Sequence, residues 1–375
     1  MISCGEPSGD LYAGSLVAEL RARKPSVTIF GFGGERMQTA GARLVGTFAG
    51  LSVNGYFEVT RILPQAYAMY RRLMAAATAT RPDVFVAIDF AGFNFHLIRA
   101  MRRLGVPVVY YVSPQLWAWR PRRMETMKRY VDKVLVIFPF EAAYYERAGV
   151  PVQFVGHPLV DLARASQPRD TFLREHGLLP DTPTVALLPG SRAAEVHRIA
   201  PSLASALPLI RARVLGVQFV AARAPDLSDQ LFSPLLTSAV TVVEGHADDV
   251  LAASDVVITA SGTATVQAVL HERPMVVVYR VSPLSYRFWK PFLKVDTYAM
   301  PNLIAGRRVV PELIQDDFTP ERVAEEAVGL LIDPTRHAAM REALRGVRGQ
   351  LGSPGASGRA AAAILEVAAK GTRQT

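Results

Sequence analysis

Short apolar runs alternate with segments of helical spacing along most of this chain. The runs that are apolar at nearly every position are VFVAI (Val84 to Ile88), VPVVYYV (Val106 to Val112), VLVIF (Val134 to Phe138), TVALL (Thr184 to Leu188), VQFVAA (Val217 to Ala222), DVVIT (Asp255 to Thr259) and MVVVY (Met275 to Tyr279). Strands covered on both faces have this pattern, and parallel sheets are covered in this way. The segments between them, such as 94–104 and 141–148, have helical spacing. This alternation predicts an α/β protein with parallel sheets.

The alternation is interrupted in a polar, proline-containing segment from Val160 to Pro183 and then resumes. A chain of 375 residues is long enough for two domains that each bury a core. We expect one domain over residues 1–165 and another over 166–350, with a cleft between them. Residues 351–375 are rich in alanine and predict a C-terminal helix that packs on the first domain or on a partner subunit.

The chain is basic, because 42 Lys and Arg against 33 Asp and Glu give a formal net charge of +9. This excess favours an anionic partner, which leaves open a nucleic acid, an acidic membrane surface or a phosphorylated substrate. The single cysteine, Cys4, excludes an internal disulfide framework and fits a reducing compartment. Neither a signal-peptide pattern nor an apolar run of about 18 residues is found, which argues against secretion and against a membrane span.

Small polar residues follow two of the apolar runs at points where a helix is expected to begin. Ligands of parallel sheets bind beyond the carboxyl ends of the strands. A helix N-terminus there favours an anion by about 0.3–1 kcal/mol, and a charged hydrogen bond adds about 1.5–3 kcal/mol. Each corner alone is equally compatible with an ordinary capped turn, but two in one domain favour a bound nucleotide. The residues are Gly190, Ser191 and Arg192 after TVALL, and Ser261, Gly262 and Thr263 after DVVIT.

The familiar phosphate and metal motifs are missing. No G-x-x-x-x-G-K-[ST] occurs, and GFGGERM (Gly31 to Met37) has Arg36 where a dinucleotide fingerprint requires its last Gly. The sequence also lacks an HExxH motif, a cysteine cluster and an aspartate-rich calcium loop. His96 and His157 are single histidines, which are more often structural or acid–base groups than ligands. We therefore expect no cofactor and no protein-bound metal ion.

Ten short motifs follow one another over almost the whole chain. They are GEPSGD (Gly5 to Asp10), GFGGERM, IDFAGFN (Ile88 to Asn94), YYVSPQLWAWRPRR (Tyr110 to Arg123), FPFE (Phe138 to Glu141), FVGHPL (Phe154 to Leu159), LLPGSRAAEV (Leu187 to Val196), ASGTATVQA (Ala260 to Ala268), PMVVVYR (Pro274 to Arg280) and PNLIAGRRVVPEL (Pro301 to Leu313). Together they resemble the lipid-A-disaccharide synthase family. The resemblance implies two Rossmann-like domains in the GT-B arrangement and an inverting glycosyltransferase. The implied reaction transfers diacylglucosamine from UDP to the 6-hydroxyl of diacylglucosamine 1-phosphate, and releases UDP.

The resemblance places the UDP site in the second domain. The departing diphosphate needs hydrogen-bond donors, and Arg192 with the two helix N-termini can supply them. The family usually has Glu at position 267, which suits ribose hydroxyls; here Gln267 keeps an acceptor without the charge. The alternative interpretation of Glu195 is a residue in the first turn of a helix. For Asn302 the alternative is a turn residue. The predicted UDP-binding residues are Gly190, Ser191, Arg192, Glu195, Ser261, Gly262, Thr263, Gln267 and Asn302.

The general base is where this sequence departs from the family. The family motif often reads I-D-x-P-D-F-N, and its second Asp is the favoured catalytic carboxylate. In this chain that position is Gly92. Asp89, at the carboxyl end of a predicted strand, is the nearest replacement, and Asp10 and Glu6 of GEPSGD are the alternatives. The other interpretation of Asp89 is a helix N-cap or an acceptor that fixes a loop.

Basic and aromatic residues are interleaved in two parts of the first domain, around 53–77 and 115–123. A surface of this kind can lie at a bilayer interface or hold acyl chains, although an amphipathic helix packed on its own sheet has the same pattern. The predicted acceptor- and lipid-binding residues are Ser8, Asn94, Trp119, Arg120, Arg123, Tyr56, Phe57 and Arg72.

The expected partners are UDP-diacylglucosamine, diacylglucosamine 1-phosphate and the anionic inner face of the cytoplasmic membrane. We expect no nucleic acid, because no nucleic-acid-binding module accompanies the charge. A homodimer is left open. The alternative functions are another GT-B UDP-sugar transferase, a UDP-N-acetylglucosamine epimerase, and a non-catalytic protein that binds a nucleotide or a membrane.

Overall fold

The computed structural model describes residues 1–48, 56–117, 123–282 and 297–371, with the side chains of 56–62 left out of the description. The chain divides into two compact units. The first comprises Met1–Val160 together with Leu351–Thr375, and the second comprises Asp161–Gln350. The change from one unit to the other thus comes slightly before the expected boundary at 165/166, within the polar segment that follows Val160.

The first unit is built on a parallel sheet of seven described strands in the order β3-β2-β1-β4-β5-β6-β7. Its strands are β1 (Ile2–Cys4), β2 (Phe30–Gly33), β3 (Arg43–Thr47), β4 (Phe85–Ile88), β5 (Val108–Tyr111), β6 (Lys133–Val136) and β7 (Val152–Phe154). Its helices are α1 (Pro7–Arg23), α2 (Glu35–Thr39), α3 (Tyr56–Thr80), α4 (Ala91–Arg103), α5 (Met124–Tyr130) and α6 (Pro139–Arg147), and α7 (Leu159–Leu162) crosses into the second unit.

The second unit has a parallel sheet of six described strands in the order β10-β9-β8-β11-β12-β13. Its strands are β8 (Thr184–Leu188), β9 (Gln218–Arg223), β10 (Thr241–Glu244), β11 (Val256–Ala260), β12 (Met275–Tyr279) and β13 (Glu312–Ile314). Its helices are α8 (Arg169–Glu175), α9 (Ala193–Arg211), α10 (Ser233–Leu236), α11 (Ala247–Ala253), α12 (Thr263–Leu270), α13 (Met300–Ala305), α14 (Pro320–Ile332) and α15 (Pro334–Gln350), and 3₁₀ turns cover Asp229–Phe232 and Gln315–Asp317.

The prediction of an α/β protein with parallel sheets is confirmed, and each of the apolar runs overlaps a strand. TVALL and MVVVY match β8 and β12 from end to end. The run from Val106 to Val112 is wider than β5, since Pro107 has no N–H to donate and Val112 has a φ of +56°. Strands β8 and β11 are adjacent and parallel, so the loops that follow them lie at one edge of the sheet.

The last helix, α16 (Ala356–Gly371), belongs to the first unit and packs on α1. The Ser15 hydroxyl donates to the Ser357 hydroxyl over 2.9 Å, and Arg359 Nε donates to the Val155 carbonyl over 2.8 Å. Ile364 is 1% exposed. Residues far apart in sequence therefore complete one core.

Candidate functional site

The loop between β8 and α9 brings four predicted residues together. Gly190 has a φ of +135°, and a Cβ at this position would lie 2.6 Å from the Cβ of Glu195. The Glu195 carboxylate accepts a hydrogen bond from the Ser191 N–H over 3.2 Å. Its other oxygen is 3.4 Å from a guanidinium nitrogen of Arg192, whose side chain is 48% exposed. Glycine is thus required at 190, because any side chain there would displace the carboxylate that fixes this corner.

The second corner lies between β11 and α12, beside the first. Ser261 donates to the Tyr298 carbonyl over 3.1 Å. Gly262 is the N-cap residue of α12, and no described heavy atom lies within 4 Å of the place a Cβ would take there. Thr263 is the first residue of the helix. A ligand group can therefore approach this backbone closely, while the first turn of α12 presents N–H groups.

Gln267, one turn further along α12, contacts an acidic residue that sequence reasoning did not single out. Its Nε2 lies 3.2 Å from each carboxylate oxygen of Asp248. His271 Nε2 lies 2.9 Å from one of these oxygens. The sequence offered little to indicate this contact, because Asp248 stands in the run HADDV, which is not one of the ten motifs.

Asn302 was predicted to bind UDP, and the structure corrects this. The side chain is 1% exposed. Its amide donates to the Val310 carbonyl and the Glu312 carboxylate, and its carbonyl oxygen accepts from the Val309 and Val310 N–H groups, all within 2.9 Å. All of its polar atoms are engaged in holding the segment after α13. Asn302 itself lies within α13, so the alternative interpretation as a turn residue is not supported either; its side chain has a structural role.

Asp89 follows β4 directly and has left-handed backbone geometry. Its φ is +43°, and that of Phe90 is +46°. The Asp89 carbonyl accepts from the Tyr110 hydroxyl over 2.7 Å and from Asn94 Nδ2 over 2.9 Å. Non-glycine residues in this region cost about 1–3 kcal/mol each and persist where the surroundings hold them. The N-cap residue of α4 is Phe90, so the N-cap interpretation of Asp89 is wrong.

Asn94 was predicted to contact the acceptor, and the structure corrects this too. Its side chain is fully buried. Its oxygen accepts from the Ser3 hydroxyl over 2.7 Å, and its amide donates to the carbonyls of Ser3, Ile88 and Asp89. Asn94 thus ties β1 to the end of β4 and holds the backbone of Asp89. A substrate cannot reach it in this structure.

The side chain of Asp10 also has a structural role. It is 4% exposed and accepts hydrogen bonds from the N–H groups of Gly34, Arg36 and Met37. Three of its roughly four lone-pair sites are therefore used to fix the start of α2. Glu6, the N-cap residue of α1, and Ser8, in its first turn, are partly exposed at the end of β1. Of the two alternatives to Asp89, Glu6 is the more accessible.

The expected lipid-contacting residues are described only in part. Trp119 and Arg120 lie outside the described residues, and so do the side chains of Tyr56 and Phe57 on α3. Arg72 is exposed on α3. The helix carries further exposed apolar side chains, with Leu63 59% and Tyr67 61% exposed. The Arg123 guanidinium lies 4.7 Å from the centre of the Phe95 ring.

A buried carboxyl lies near Asp89 and was not predicted. Glu141, in the first turn of α6, accepts from the Ser113 hydroxyl over 3.2 Å and from Trp117 Nε1 over 3.3 Å. Burial raises the pKa of this carboxyl to about 8, and the negative charge of Asp89 adds to the increase. Burial also lowers the pKa of His157, after β7, to about 3. Glu141 belongs to FPFE and His157 to FVGHPL, and these motifs come at or just after the ends of β6 and β7, which was the available signal.

The described residues contain no group of three or more His, Cys, Asp or Glu side chains arranged to hold a metal ion. Among the helices that the structure describes, none is long and apolar enough to cross a membrane.

Comparison with solved structures establishes the fold class. A UDP-GlcNAc 2-epimerase from Neisseria meningitidis, solved with UDP-GlcNAc, aligns with a TM-score of 0.69 over 97% of this chain and 98% of that chain, at 12% identity. The calicheamicin glycosyltransferase CalG4 aligns with a TM-score of 0.60 over 98% of this chain and 97% of that chain, at 17% identity. These similarities confirm the predicted GT-B fold.

Sequence comparison establishes the family. The model of the lipid-A-disaccharide synthetase family matches residues 1–367. A lipid-A-disaccharide synthase of Myxococcus xanthus is 43% identical over 98% of this chain and 97% of that protein. A lipid-A-disaccharide synthase of Geobacter sulfurreducens is 41% identical over 99% of this chain and 97% of that protein. The resemblance carried by the motifs is thereby confirmed: the chain belongs to the lipid-A-disaccharide synthetase family.

Proposed function

We propose that this chain transfers diacylglucosamine from UDP-2,3-diacylglucosamine to the 6-hydroxyl of 2,3-diacylglucosamine 1-phosphate, forming the lipid A disaccharide 1-phosphate and UDP. The observation that carries the proposal is the family match over residues 1–367, which includes every motif discussed above. The adjacent corners of the second unit support it. They offer a guanidinium and helix N-terminal N–H groups at the sheet edge where an α/β protein binds its ligand.

In this proposal Arg192 and the N-termini of α9 and α12 bind the diphosphate of UDP. As the bond to the sugar breaks, negative charge grows on the leaving phosphate, and fixed donors stabilise it. Glu195 holds the Arg192 side chain and the Ser191 N–H in place before the ligand arrives. The guanidinium, which is half-exposed, can then meet a phosphate at this corner with little movement of the backbone.

The test uses purified protein, UDP-diacylglucosamine and diacylglucosamine 1-phosphate, with the disaccharide followed by mass spectrometry. We expect turnover by the unmodified chain, and for Arg192→Ala a roughly 10- to 100-fold weaker affinity for UDP, because a charged hydrogen bond is lost. The matched control is Arg213→Ala, an exposed arginine after the C-terminus of α9. UDP binding without any turnover would favour a non-catalytic protein, and turnover of unacylated UDP-sugars alone would favour another GT-B enzyme.

We propose Asp89 as the general base that takes the proton of the acceptor hydroxyl. It stands at the carboxyl end of β4, held by Tyr110 and Asn94 through its backbone. Next to it, no described heavy atom lies within 4 Å of a Cβ placed on Gly92, so there is room for a substrate where the family motif has its second Asp.

Replacing Asp89 by Asn should lower kcat by about 10²- to 10⁴-fold, which is the usual contribution of a general base. The affinity for UDP should stay the same, since the nucleotide residues lie in the other unit. The matched control is Asp83→Asn, an exposed carboxylate two residues before the same strand. Steady-state rates and UDP titrations of both variants test whether Asp89 is the base. If the Asp89→Asn enzyme keeps most of its rate, Glu6 becomes the candidate for the base.

We also propose that the enzyme acts as a peripheral protein at the inner face of the cytoplasmic membrane. Both proposed substrates carry acyl chains, and the chain has a net charge of +9. The exposed residues of α3 combine apolar side chains with Arg71 and Arg72, as interfacial helices do.

A further inference from the structure

Asp248 lies between the side chains of Gln267, on α12, and His271, the C-cap residue of that helix. The two residues are four apart, and the His271 N–H still donates to the Gln267 carbonyl over 3.0 Å, so their side chains lie on the same side. Both point a nitrogen at the Asp248 carboxylate, which comes from the first turn of α11. The side chain of Asp248 is 22% exposed and that of His271 is 12% exposed.

This contact fixes the orientation of the Gln267 amide. An ionised carboxylate only accepts hydrogen bonds, so the NH₂ end of Gln267 must face Asp248. The carbonyl oxygen of the amide, at the opposite end of the same planar group, is then directed away from Asp248. His271 supports the arrangement, because its Nε2 must carry the proton that is donated to the carboxylate.

The same contact explains why a glutamine suits this position. A glutamate at 267 would bring a second carboxylate to within hydrogen-bond distance of Asp248, where two like charges repel each other. With glutamine, the pair carries one negative charge and is joined by hydrogen bonds. The residue still offers an acceptor, on the helix whose N-terminus forms the second corner.

We propose that Asp248 and His271 hold the Gln267 amide so that its carbonyl oxygen accepts a hydrogen bond from a ribose hydroxyl of the bound uridine nucleotide. Asp248 and His271 are thus positioning residues for nucleotide recognition. The proposal rests on the nucleotide-binding role of this sheet edge proposed above. A ribose has neighbouring hydroxyl donors close to the diphosphate, which is the chemistry that a fixed acceptor on α12 would recognise.

The test compares UDP with 2′,3′-dideoxy-UDP, which lacks the hydroxyl donors, by isothermal titration. Asp248→Ala should weaken UDP binding roughly 3- to 10-fold, since one hydrogen bond is lost, and leave dideoxy-UDP binding unchanged. The matched control is Asp229→Asn, whose side chain is 77% exposed in the same unit. An equal loss for both nucleotides, or no loss for UDP, would overturn the proposal.

A second measurement exchanges the acid and the amide between positions 248 and 267, so that neither side chain is shortened to alanine. Gln267→Glu alone should weaken UDP binding, because two carboxylates then face each other. Adding Asp248→Asn should restore the affinity to within about threefold of the unmodified protein, since the single charge and the hydrogen bond return. A double variant no better than Gln267→Glu would contradict the proposal. If the unmodified protein binds neither nucleotide, the UDP site itself is wrong; if it binds both equally well, only the ribose contact is wrong.

Discussion

At the scale of single residues, the sequence located the polar strand ends but not the direction in which each side chain points. Asn94 and Asn302 both stand in family motifs near strand or helix ends, and both turn inward to satisfy backbone groups. Arg192 turns outward from an equivalent place. Because an amide can satisfy either a ligand or the backbone, only the fold around it decides between the two roles.

The buried carboxyl of Glu141 allows a prediction about pH. Its pKa in the folded protein is about 8 against an ordinary 4.5, so the folded state keeps a proton that the unfolded state loses. Stability from this group is therefore present at acidic pH and is lost as the pH rises toward 8. His157 acts in the opposite direction, but only below its ordinary pKa of 6.5. Between about pH 6.5 and 8 the Met1 amino group opposes Glu141, because burial lowers its pKa from 8.0 to about 5, so the contribution of Glu141 is the difference in slope between the unmodified protein and a variant that lacks this carboxyl.

In urea unfolding across that interval, the change in the free energy of unfolding with rising pH should be more negative for the unmodified protein than for Glu141→Gln. Glutamine resembles the neutral carboxyl in shape and cannot lose a proton. Glu146→Gln, exposed on the same helix, serves as the control and should keep the slope. Equal slopes for all three proteins would show that Glu141 is ionised in the folded state throughout.

At the scale of elements, most central strands were predictable and the edge strands were not. The apolar runs correspond to β4, β5, β6, β8, β9, β11 and β12, which all have a strand on either side. The edge strands β3, β7, β10 and β13 lack such runs, since fewer neighbours cover them. The central strand β2, FGFG, was missed because glycine has little β-propensity.

Helix α3 combines a buried and an exposed apolar side. Leu73 and Ala77 are fully buried in the core of the first unit, whereas Leu63 and Tyr67 are exposed. The two interpretations of this segment, a helix packed on its own sheet and a surface for lipid, do not exclude each other. The helix packs on the sheet with one set of residues and exposes another set. The exposed set is where we place the proposed membrane contact.

Replacing Leu63 and Tyr67 together by Ser should reduce binding to vesicles of anionic phospholipid by about tenfold or more, since apolar area no longer enters the interface. Sedimentation of the protein with sucrose-loaded vesicles measures this. Leu215→Ser removes an apolar side chain that is 97% exposed in the second unit, and binding should not change. Unaltered vesicle binding of the double variant would locate the membrane contact elsewhere.

At the scale of the whole molecule, the fold class and family followed from the order of the motifs, because a GT-B chain repeats the strand–helix alternation in two units. What the pattern left open was the destination of residues 351–371. Their composition predicted a helix, but alanine-rich helices pack on many surfaces. The contacts of Ser357 and Arg359 with residues of the first unit provide the answer.

The return of α16 to α1 affects the order in which the protein can fold during synthesis. A ribosome that has made residues 1–160 has not yet made the helix that covers α1 around Ser15. The surface of α1 in the nascent first unit therefore stays uncovered until residues 161–350 have been made. The second unit, although translated later, is continuous in sequence from Asp161 to Gln350, so all of its residues are made before those of the first unit are complete.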